Sequence, residues 1–336
     1  MRIGVNPAKL DATIPKKYYH RIIIPVFVPN FEGYFKEVFE VYKTCIKSAW
    51  LTQHGRSAIT VVDNGSCIEV REWLHEQWEK GIIETLVSRS DNIGKVDAIL
   101  GAARACREDL ITISDSDILF KPGWQEATEE VFKCFEQAGS VAPFPIARHM
   151  YYFSSAVLRS IIQKKLSFGF LKSEFPKDIE DIYSCYEWDF LESYDGVLPT
   201  VNRNDHTAVV GSGHQIMTLR REAVFSLPNY PSFIKISNGS EVNWIDKPID
   251  DLGYWRLSTL RPWVIHMGNT ITDQNRRDFD QLKKNQNIPD QIALAELKKD
   301  PISNLAKRVY TRLFKKRFDK RGPAPKLKAN IQQDGV

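Results

Sequence analysis

The sequence has few cysteines and no long apolar run, and both absences narrow the classes of protein that it can represent. Its five cysteines among 336 residues are odd in number and widely spaced, so neither a zinc-binding cysteine motif nor a disulfide framework is indicated. We therefore expect reduced cysteines and a cytoplasmic location. No stretch approaches the roughly 20 apolar residues that span a bilayer. The run from Ile22 to Val28 is short and interrupted by Pro25, so we expect no signal peptide.

Several common catalytic motifs are also missing. The chain contains no Walker A sequence, no Gly-x-Gly-x-x-Gly, no His-Glu-x-x-His and no Gly-x-Ser-x-Gly. The nucleotide-binding and hydrolytic classes that depend on these motifs are therefore set aside.

The net charge of +4 is unevenly distributed along the chain. Residues 305–328 contain ten Lys or Arg and a single Asp, which gives this segment a charge of +9 and leaves the remainder at −5. A mildly acidic body does not suit a general nucleic-acid surface, and the basic segment has no base-reading fold. We therefore expect no nucleic-acid partner.

Two hydrophobic periodicities alternate over the first 125 residues. Short β-branched runs that end in turn residues predict strands, and apolar residues repeated every three to four positions predict helices. The resulting β-α-β-α-β-α-β order predicts an α/β fold with an open, mostly parallel sheet and helices on both faces. The predicted strands are 21–28, 58–62, 82–87 and 110–114, and the predicted helices are 34–51, 68–80 and 95–106.

Polar residues lie where the predicted strands end. In an open parallel sheet, ligands bind beyond the carboxyl ends of the strands. Pro29-Asn30, Asp63-Asn64, residues 88–95 and Asp115-Ser116-Asp117 occupy these positions. Their order along the chain is the order that a nucleotide site in such a sheet requires.

Asp115-Ser116-Asp117 is the most specific of these segments. Side chains two positions apart in an extended segment point the same way, so both carboxylates can face one ligand. Carboxylate oxygens suit Mn²⁺ or Mg²⁺, which bridge protein carboxylates to substrate phosphates. The apolar residues on both sides place the two acids at the edge of a core, where unpaired carboxylates are unfavourable. This context favours a metal site over a solvated turn.

Three further segments are candidates for nucleotide binding, each with a structural alternative. Asp63 can hydrogen-bond the base or ribose, or it can fold back as an Asx-turn residue. Asn92 and Lys95 can bring an amide and a cation to the nucleotide, or they can simply begin a helix. His214 lies in a glycine-containing loop that is flexible enough to approach phosphate or acceptor.

Two segments near residue 260 are candidates for metal binding and acid–base chemistry. His266 ends a short apolar strand and can be a third metal ligand, or a histidine satisfied by the protein itself. Asp250 and Asp251 precede an apolar segment, 252–257, that we expect to be helical. One of them can act as a general base, or both can cap that helix.

Taken together, these segments resemble the family 2 inverting glycosyltransferases of the GT-A type. The specific part of the resemblance covers about residues 21–125, and weaker similarity extends to about residue 270. Residues 249–252 resemble the family's Glu-Asp catalytic segment, although Asp250 replaces its glutamate, and Asn64 stands where the family usually has an acid. The matching segments are Ile22-Ile23-Ile24-Pro25, residues 61–66, Asn92-x-Gly94-Lys95 and residues 113–117.

The resemblance implies a GT-A domain over residues 21–272, with a nucleotide-binding half (21–125) and an acceptor half (126–272). Residues 1–20 would then be an extension, and residues 273–336 a helical, basic tail. The resemblance also implies a role for each candidate residue: nucleotide-sugar binding for Pro25, Asp63, Asn92, Lys95, Asp115 and His214; metal binding for Asp115, Asp117 and His266; and acceptor deprotonation for Asp251 or Asp250.

The predicted function is inverting transfer of a hexose or N-acetylhexosamine from a nucleotide-sugar, with a UDP-sugar as the expected donor. The expected acceptor is a hydroxyl of a glycan or of a lipid-linked precursor in cell-envelope polysaccharide biosynthesis. One rival is a catalytically silent scaffold that binds nucleotide-sugar. Another is a nucleotidyltransferase, but this class needs a basic, glycine-rich loop after the first strand, and residues 26–33 contain no cation.

The basic tail predicts a further partner. Residues 304–320 can form a helix that gathers Leu305, Val309, Leu313 and Phe314 and carries cations elsewhere. A basic amphipathic helix is typical of contact with an anionic membrane surface, here through residues 304–328 at the inner face of the plasma membrane. The alternative is that the helix packs on the catalytic domain and leaves its cations in solvent.

Overall fold

The first part of the chain alternates between strands and helices, as its periodicity predicts. The structure is a computed structural model that describes residues 4–9, 13–237 and 239–321. The first elements are β1 (His20–Val26), α1 (Val38–Thr52), β2 (Ser57–Asn64), α2 (Ile68–Glu79), β3 (Thr85–Arg89), α3 (Lys95–Ala105) and β4 (Leu110–Ser114).

The second part mixes hairpins with short helices. Its elements are β5 (Ile118–Phe120), α4 (Trp124–Cys134), β6 (Ala138–Ala142), α5 (Ser155–Ile162), β7 (Ser167–Lys172), α6 (Pro176–Cys185), α7 (Glu192–Asp195), β8 (Val197–Arg203), β9 (His206–Val210), β10 (Ile216–Arg220), α8 (Arg221–Val224), α9 (Lys247–Asp251), β11 (Trp255–Ser258), β12 (Val264–His266), α10 (Asp273–Asp280) and α11 (Asn304–Arg317). Short 3₁₀ helices form at Pro7–Lys9, Gly33–Phe35 and Ala147–Tyr151, and a π-helical turn at Val242–Asp246 leads into α9.

Ten strands form one sheet in the order β3-β2-β1-β4-β10-β6-β11-β9-β8-β7. The four strands β3, β2, β1 and β4 are parallel neighbours. Following the pairings across the sheet, β10, β9 and β7 run opposite to the other seven strands. The predicted α/β class with a mostly parallel sheet is confirmed, and the antiparallel pairs lie in the second part of the chain.

Helices cover both faces of the sheet, and β1 shows why its sequence is continuously apolar. Ile22 and Ile24 pack in a hydrophobic cluster with α1 and α2, whereas Ile23 packs in a separate cluster with α3. Alternate side chains of a strand point to opposite faces, so a strand covered on both sides needs apolar residues at every position.

A buried polar network lies at the beginning of β1. Glu129 Oε1 is 2.7 Å from His20 Nδ1 and 2.9 Å from His54 Nε2, and Glu129 Oε2 accepts a hydrogen bond from the Tyr19 hydroxyl. The second ring nitrogen of His20 is 2.7 Å from the Thr112 hydroxyl. Every member of this network has a partner, which identifies it as a structural link between α4 and the sheet.

The segment after α10 packs against the domain. Ile292 and Ile302 contribute to its core, and the Phe314 side chain of α11 is fully buried. None of the described helices is long and apolar enough to cross a membrane. The final cations of the predicted basic segment, Lys326 and Lys328, lie outside the described residues, as does part of the predicted extension 1–20.

Candidate functional site

The carboxyl ends of the four parallel strands meet at one edge of the sheet and border a cavity of about 470 Å³. Each strand or the loop after it contributes a polar or turn residue, as the topology predicts. The cavity is lined by Pro25, Asn64, Asn92, Lys95, Asp115 and Asp117, among others. We call it the first cavity.

A small antiparallel ribbon of β5 and β12 completes this edge. It pairs His266 with Ile118, which places the imidazole beside the Asp117 carboxylate, with Nε2 3.5 Å from Oδ2. The Asp117 carbonyl also accepts a hydrogen bond from Met267 N at 2.8 Å. The ribbon therefore explains how residues almost 150 positions apart in the sequence meet at one point.

Asp115, Asp117 and His266 form a group that can hold a divalent metal ion. One ligand atom from each lies within 4.8 Å of the other two. Among the described residues, neither Asp117 Oδ1 nor His266 Nδ1 has a hydrogen-bond partner, although both atoms are buried. Burial raises the pKa of Asp117, and the Asp115 carboxylate adds to this rise, because a second negative charge is unfavourable there. A hard cation fits two carboxylates and an imidazole in this arrangement.

Lys95 lies at the first position of α3 and points into the same region. Its Nζ is 2.6 Å from Asp115 Oδ1 and 3.2 Å from Glu241 Oε1. Burial alone would lower the pKa of Lys95, but the two carboxylates raise it above its usual value. The lysine is therefore a fixed positive charge, suited to a phosphate and unsuited to act as a base.

A second cavity of about 300 Å³ adjoins the first and shares Lys95, Asp115 and Ile236 with it. Two aromatic side chains, Tyr186 and Trp188, form part of its wall and offer flat apolar faces. The polar residues of its lining are Lys95, Asp115, His149, Tyr152, His214, Gln215, Ser237, Glu241 and His266.

Most of the predicted nucleotide-site residues reach these cavities, but Asp63 does not line either one. Asp63 is fully buried, and its Oδ1 accepts a hydrogen bond from Ser66 N at 2.9 Å. The next residue, Asn64, lines the first cavity and donates to Asn92 Oδ1 at 2.9 Å. Asp63 thus takes the Asx-turn position, and Asn64 takes the place in the cavity that was predicted for Asp63.

Asp250 and Asp251, the predicted candidates for deprotonating the acceptor, lie away from both cavities. Asp250 is fully buried and accepts from Ala156 N and Lys307 Nζ, and Asp251 is paired with Lys247 and Lys307. The two acids also end helix α9, and the segment expected to be a helix forms strand β11.

Glu241, Asp246 and Tyr152 were not predicted from the sequence. Glu241 is an acid that directly follows the sequence Asn-Gly-Ser, and this composition is a weak signal that the sequence does offer. Tyr152 comes from a region without clear periodicity, and Asp246 reaches the site only through a π-helical turn, so neither had a local signal.

A family comparison finds a match in the first half of the chain. Residues 22–177 match the family model described as "Glycosyl transferase family 2". This segment begins in β1 and includes the lining residues from Pro25 to Asp117. The match extends over just under half of the chain and agrees with the resemblance that the motifs of this segment predict.

Similarity to individual proteins is remote. No curated protein matches the sequence. The mannosyltransferase PcManGT from Pyrobaculum calidifontis, solved with GDP-Man and Mn²⁺, is 14% identical, with a TM-score of 0.42, over 76% of this chain and 60% of that one. Glucosyl-3-phosphoglycerate synthase from Mycobacterium tuberculosis, solved with Mn²⁺, UDP and glucosyl-3-phosphoglycerate, is 15% identical, with a TM-score of 0.34, over 69% of this chain and 67% of that one. This chain thus spans about two thirds or less of the length of these proteins.

Proposed function

We propose that the chain is an inverting transferase that uses a divalent metal and moves a hexose or N-acetylhexosamine from a nucleotide-sugar to an acceptor hydroxyl. A UDP-sugar is the donor to test first, and a glycan or lipid-linked precursor of a cell-envelope polysaccharide is the acceptor class. The observation that carries the proposal is the pair of adjoining cavities that share Asp115 and Lys95. A donor in the first cavity would place its sugar at the boundary with the second.

Each part of the first cavity has a role in this proposal. Asp115, Asp117 and His266 would hold Mn²⁺ or Mg²⁺, which neutralises charge on the departing diphosphate. Lys95 supplies a second fixed positive charge on the phosphate side. Asn64 and Asn92 offer amide groups to the base or ribose. Attack by a hydroxyl from the second cavity, on the face opposite the diphosphate, inverts the anomeric carbon.

The direct test is calorimetric titration with UDP, with and without Mn²⁺. We expect binding that needs the metal and that weakens by about 10-fold to 100-fold or more in Asp117→Ala, since a direct ligand is removed. Asp205→Ala, at the exposed tip of the β8–β9 hairpin, is the matched control and should bind like the wild type. The same titration with GDP tests the choice of nucleotide. If neither nucleotide binds with metal, the proposed site is wrong.

A donor-turnover assay separates an enzyme from a catalytically silent scaffold. UDP-glucose, UDP-N-acetylglucosamine and GDP-mannose are incubated with the protein and Mn²⁺, and release of the nucleoside diphosphate is followed. Release that depends on Asp117 supports the enzyme. Metal-dependent binding without release from any donor, with or without added glycan acceptors, favours the scaffold.

The outward face of α11 supports a second part of the proposal, contact with an anionic membrane. Leu305, Val309 and Leu313 are spaced by four residues and are 73%, 47% and 47% exposed. Phe314 and Lys307, on the inward face, fix the helix to the domain, so this apolar stripe stays in solvent. Exposed cations on the same helix are Arg308, Arg312, Lys315, Lys316 and Arg317.

Both features suit the interface of an anionic bilayer, where each cation contributes on the order of 1 kcal/mol. The test is co-flotation with vesicles of phosphatidylcholine alone or with phosphatidylglycerol added. We expect binding only to the anionic vesicles, weakened by salt and lost in the triple variant Leu305→Ser, Val309→Ser and Leu313→Ser. Leu171→Ser, an exposed leucine on edge strand β7, is the control. Failure to bind anionic vesicles refutes this part of the proposal.

A further inference from the structure

His214 and Asp246 form a close pair in the wall of the second cavity. His214 Nδ1 lies 2.6 Å from Asp246 Oδ2. The histidine is carried by the loop before β10, and the loop approaches a neighbouring backbone closely at Gly211, where a Cβ atom would lie 2.6 Å from His149 O. Asp246 ends the π-helical turn and is fully buried. Two separate segments thus converge to make this contact.

The surroundings of Asp246 fix which atom of the pair carries the proton. Its Oδ1 accepts from Arg256 Nη2 at 2.7 Å, and its Oδ2 accepts from the Tyr152 hydroxyl at 2.7 Å. Burial would raise the pKa of Asp246, but Arg256 and His214 hold it at about 2. The carboxylate is therefore ionised and can only accept, so the His214 Nδ1–H must be the donor. The lone pair of the imidazole is then on Nε2.

The Nε2 atom of His214 is free to meet a substrate. Among the described residues it has no hydrogen-bond partner, and the imidazole lines the second cavity and is 13% exposed. The same cavity contains Asp115 and Lys95, which border the donor side. A hydroxyl group bound in the second cavity would therefore share one cavity with this nitrogen and with the donor-side residues.

The other titratable groups of the cavity are less suited to accept a proton. Glu241 is ion-paired with Lys95 at 3.2 Å and accepts from the Ser240 hydroxyl at 2.6 Å, and Lys95 and His214 lower its pKa even though burial opposes this. Burial and the nearby Arg256 lower the pKa of His149 to about 3. A strongly depressed pKa makes a weak base.

We propose that His214 is the general base that deprotonates the acceptor hydroxyl, and that Asp246 is the residue that positions it. This inference rests on the proposed glycosyl transfer. The hydroxyl proton moves to Nε2 while the oxygen bonds to the anomeric carbon. The bond from that carbon to the phosphate oxygen breaks, and its electron pair leaves with the nucleoside diphosphate. The resulting imidazolium is stabilised by Asp246 and later returns its proton to solvent.

The pair predicts a specific pH dependence. Burial alone would lower the pKa of His214, but the Asp246 carboxylate raises it above its usual value. A base works in its neutral form, so the rate should increase as the pH rises through this raised pKa. The charged or titratable groups that face the imidazole are Asp246, Glu241, Lys95, Arg256, His149 and Tyr152.

The experiment combines binding, turnover and a measurement of the tautomer. Release of UDP from UDP-glucose in water, with Mn²⁺ present, is followed from pH 5 to 9 for the wild type, His214→Gln and Asp246→Asn. UDP binding is measured in parallel. We expect His214→Gln to lower kcat by about 100-fold or more, with KM and UDP affinity changed less than about twofold. In Asp246→Asn the increase of the rate with pH should occur at a lower pH, because the carboxylate that raises the pKa of His214 is gone. His75→Gln, an exposed histidine on α2, is the control.

Nitrogen-15 NMR of labelled histidine gives a readout that does not need turnover. We expect the His214 resonances, identified by their loss in His214→Gln, to show an elevated pKa and, at pH values above that pKa, the Nδ1–H tautomer. An Nε2–H form overturns the proposal, as does a His214→Gln variant that keeps its turnover or instead loses UDP affinity. If the wild type binds no nucleotide, the proposed function itself fails, and that result is separate from a failure of the pair alone.

Discussion

Replacing Lys307 with methionine should destabilise the protein strongly, because this lysine neutralises a fully buried acid. Its Nζ lies 2.6 Å from both Asp250 Oδ2 and Asp251 Oδ1, and the Asp250 carboxyl group is 0% exposed. Without the lysine, Asp250 keeps one described hydrogen bond, from Ala156 N at 2.8 Å. The variant therefore leaves a buried charge without a counter-charge.

The size of the effect follows from this geometry. At 2.6 Å and an effective dielectric constant of about 20, the attraction between Lys307 and Asp250 is about 6 kcal/mol. The free-energy cost of removing the lysine from water opposes this attraction, and that cost is absent from the variant. Breaking one side of a buried pair therefore leaves a net loss of about 3–5 kcal/mol in the free energy of unfolding.

Urea unfolding at pH 7, followed by circular dichroism, measures this loss. Lys247→Met is the matched control, because Lys247 contacts Asp251 at 2.7 Å but is 43% exposed, and such helix pairs contribute only about 0.3–0.5 kcal/mol. Metal-dependent UDP binding by the folded fraction should not change in either variant. A Lys307→Met loss below about 1 kcal/mol, or a loss equal to that of the control, would refute the structural role assigned to Asp250.

Two further substitutions test other parts of the structure. Glu129→Gln places an amide opposite a buried hydrogen-bond donor and should lower the free energy of unfolding by about 2–3 kcal/mol at pH 7. The neighbouring exposed change Glu130→Gln should lower it little. Because the folded pKa of Glu129 is held at about 2 against an ordinary 4.5, its contribution is present above pH 4.5 and declines as the pH falls toward 2. The stability gap between wild type and Glu129→Gln, measured by urea unfolding, should therefore narrow in acid; a constant gap contradicts this. Gly94→Ala should weaken UDP binding and lower the free energy of unfolding by about 1–3 kcal/mol. Gly94 has a φ of +98°, and a Cβ atom added there would lie 2.2 Å from Ile234 O. Gly81→Ala also has a positive φ but meets no atom within 4 Å, so an equal effect in both variants would show that the clash is unimportant.

The parallel half of the fold could be predicted from the sequence because its signals are local. The predicted strand 110–114 and helix 68–80 agree with β4 and α2 to within one residue. The third strand begins at Thr85, later than predicted, because the preceding apolar residues fill the core without pairing. The segment from Gly33 to Phe35 forms a 3₁₀ turn before α1, although its aromatic residues continue the apolar pattern of the helix.

The second half of the site could not be predicted in the same way. The meeting of His214 with Asp246 depends on a loop and a π-helical turn, and neither has a repeating pattern. Asp250 and Asp251 resemble a catalytic pair by sequence alone. The direction in which their side chains point, however, depends on where α9 ends. That end is set by Gly253, whose φ is +83° and whose missing side chain lets Asp300 O approach. Such backbone contacts over long sequence separations leave no trace in local periodicity.

The position of Phe314 in the core has a consequence for how the chain is made. This side chain packs beside Phe168 and Tyr151, so the hydrophobic cluster around β7 and α5 is incomplete until α11 has been synthesised. Translation at about 5–20 residues per second needs several seconds for the roughly 40 residues between β12 and α11. During this interval the nascent domain exposes an apolar surface, and chaperone binding or aggregation on the ribosome would be concentrated there.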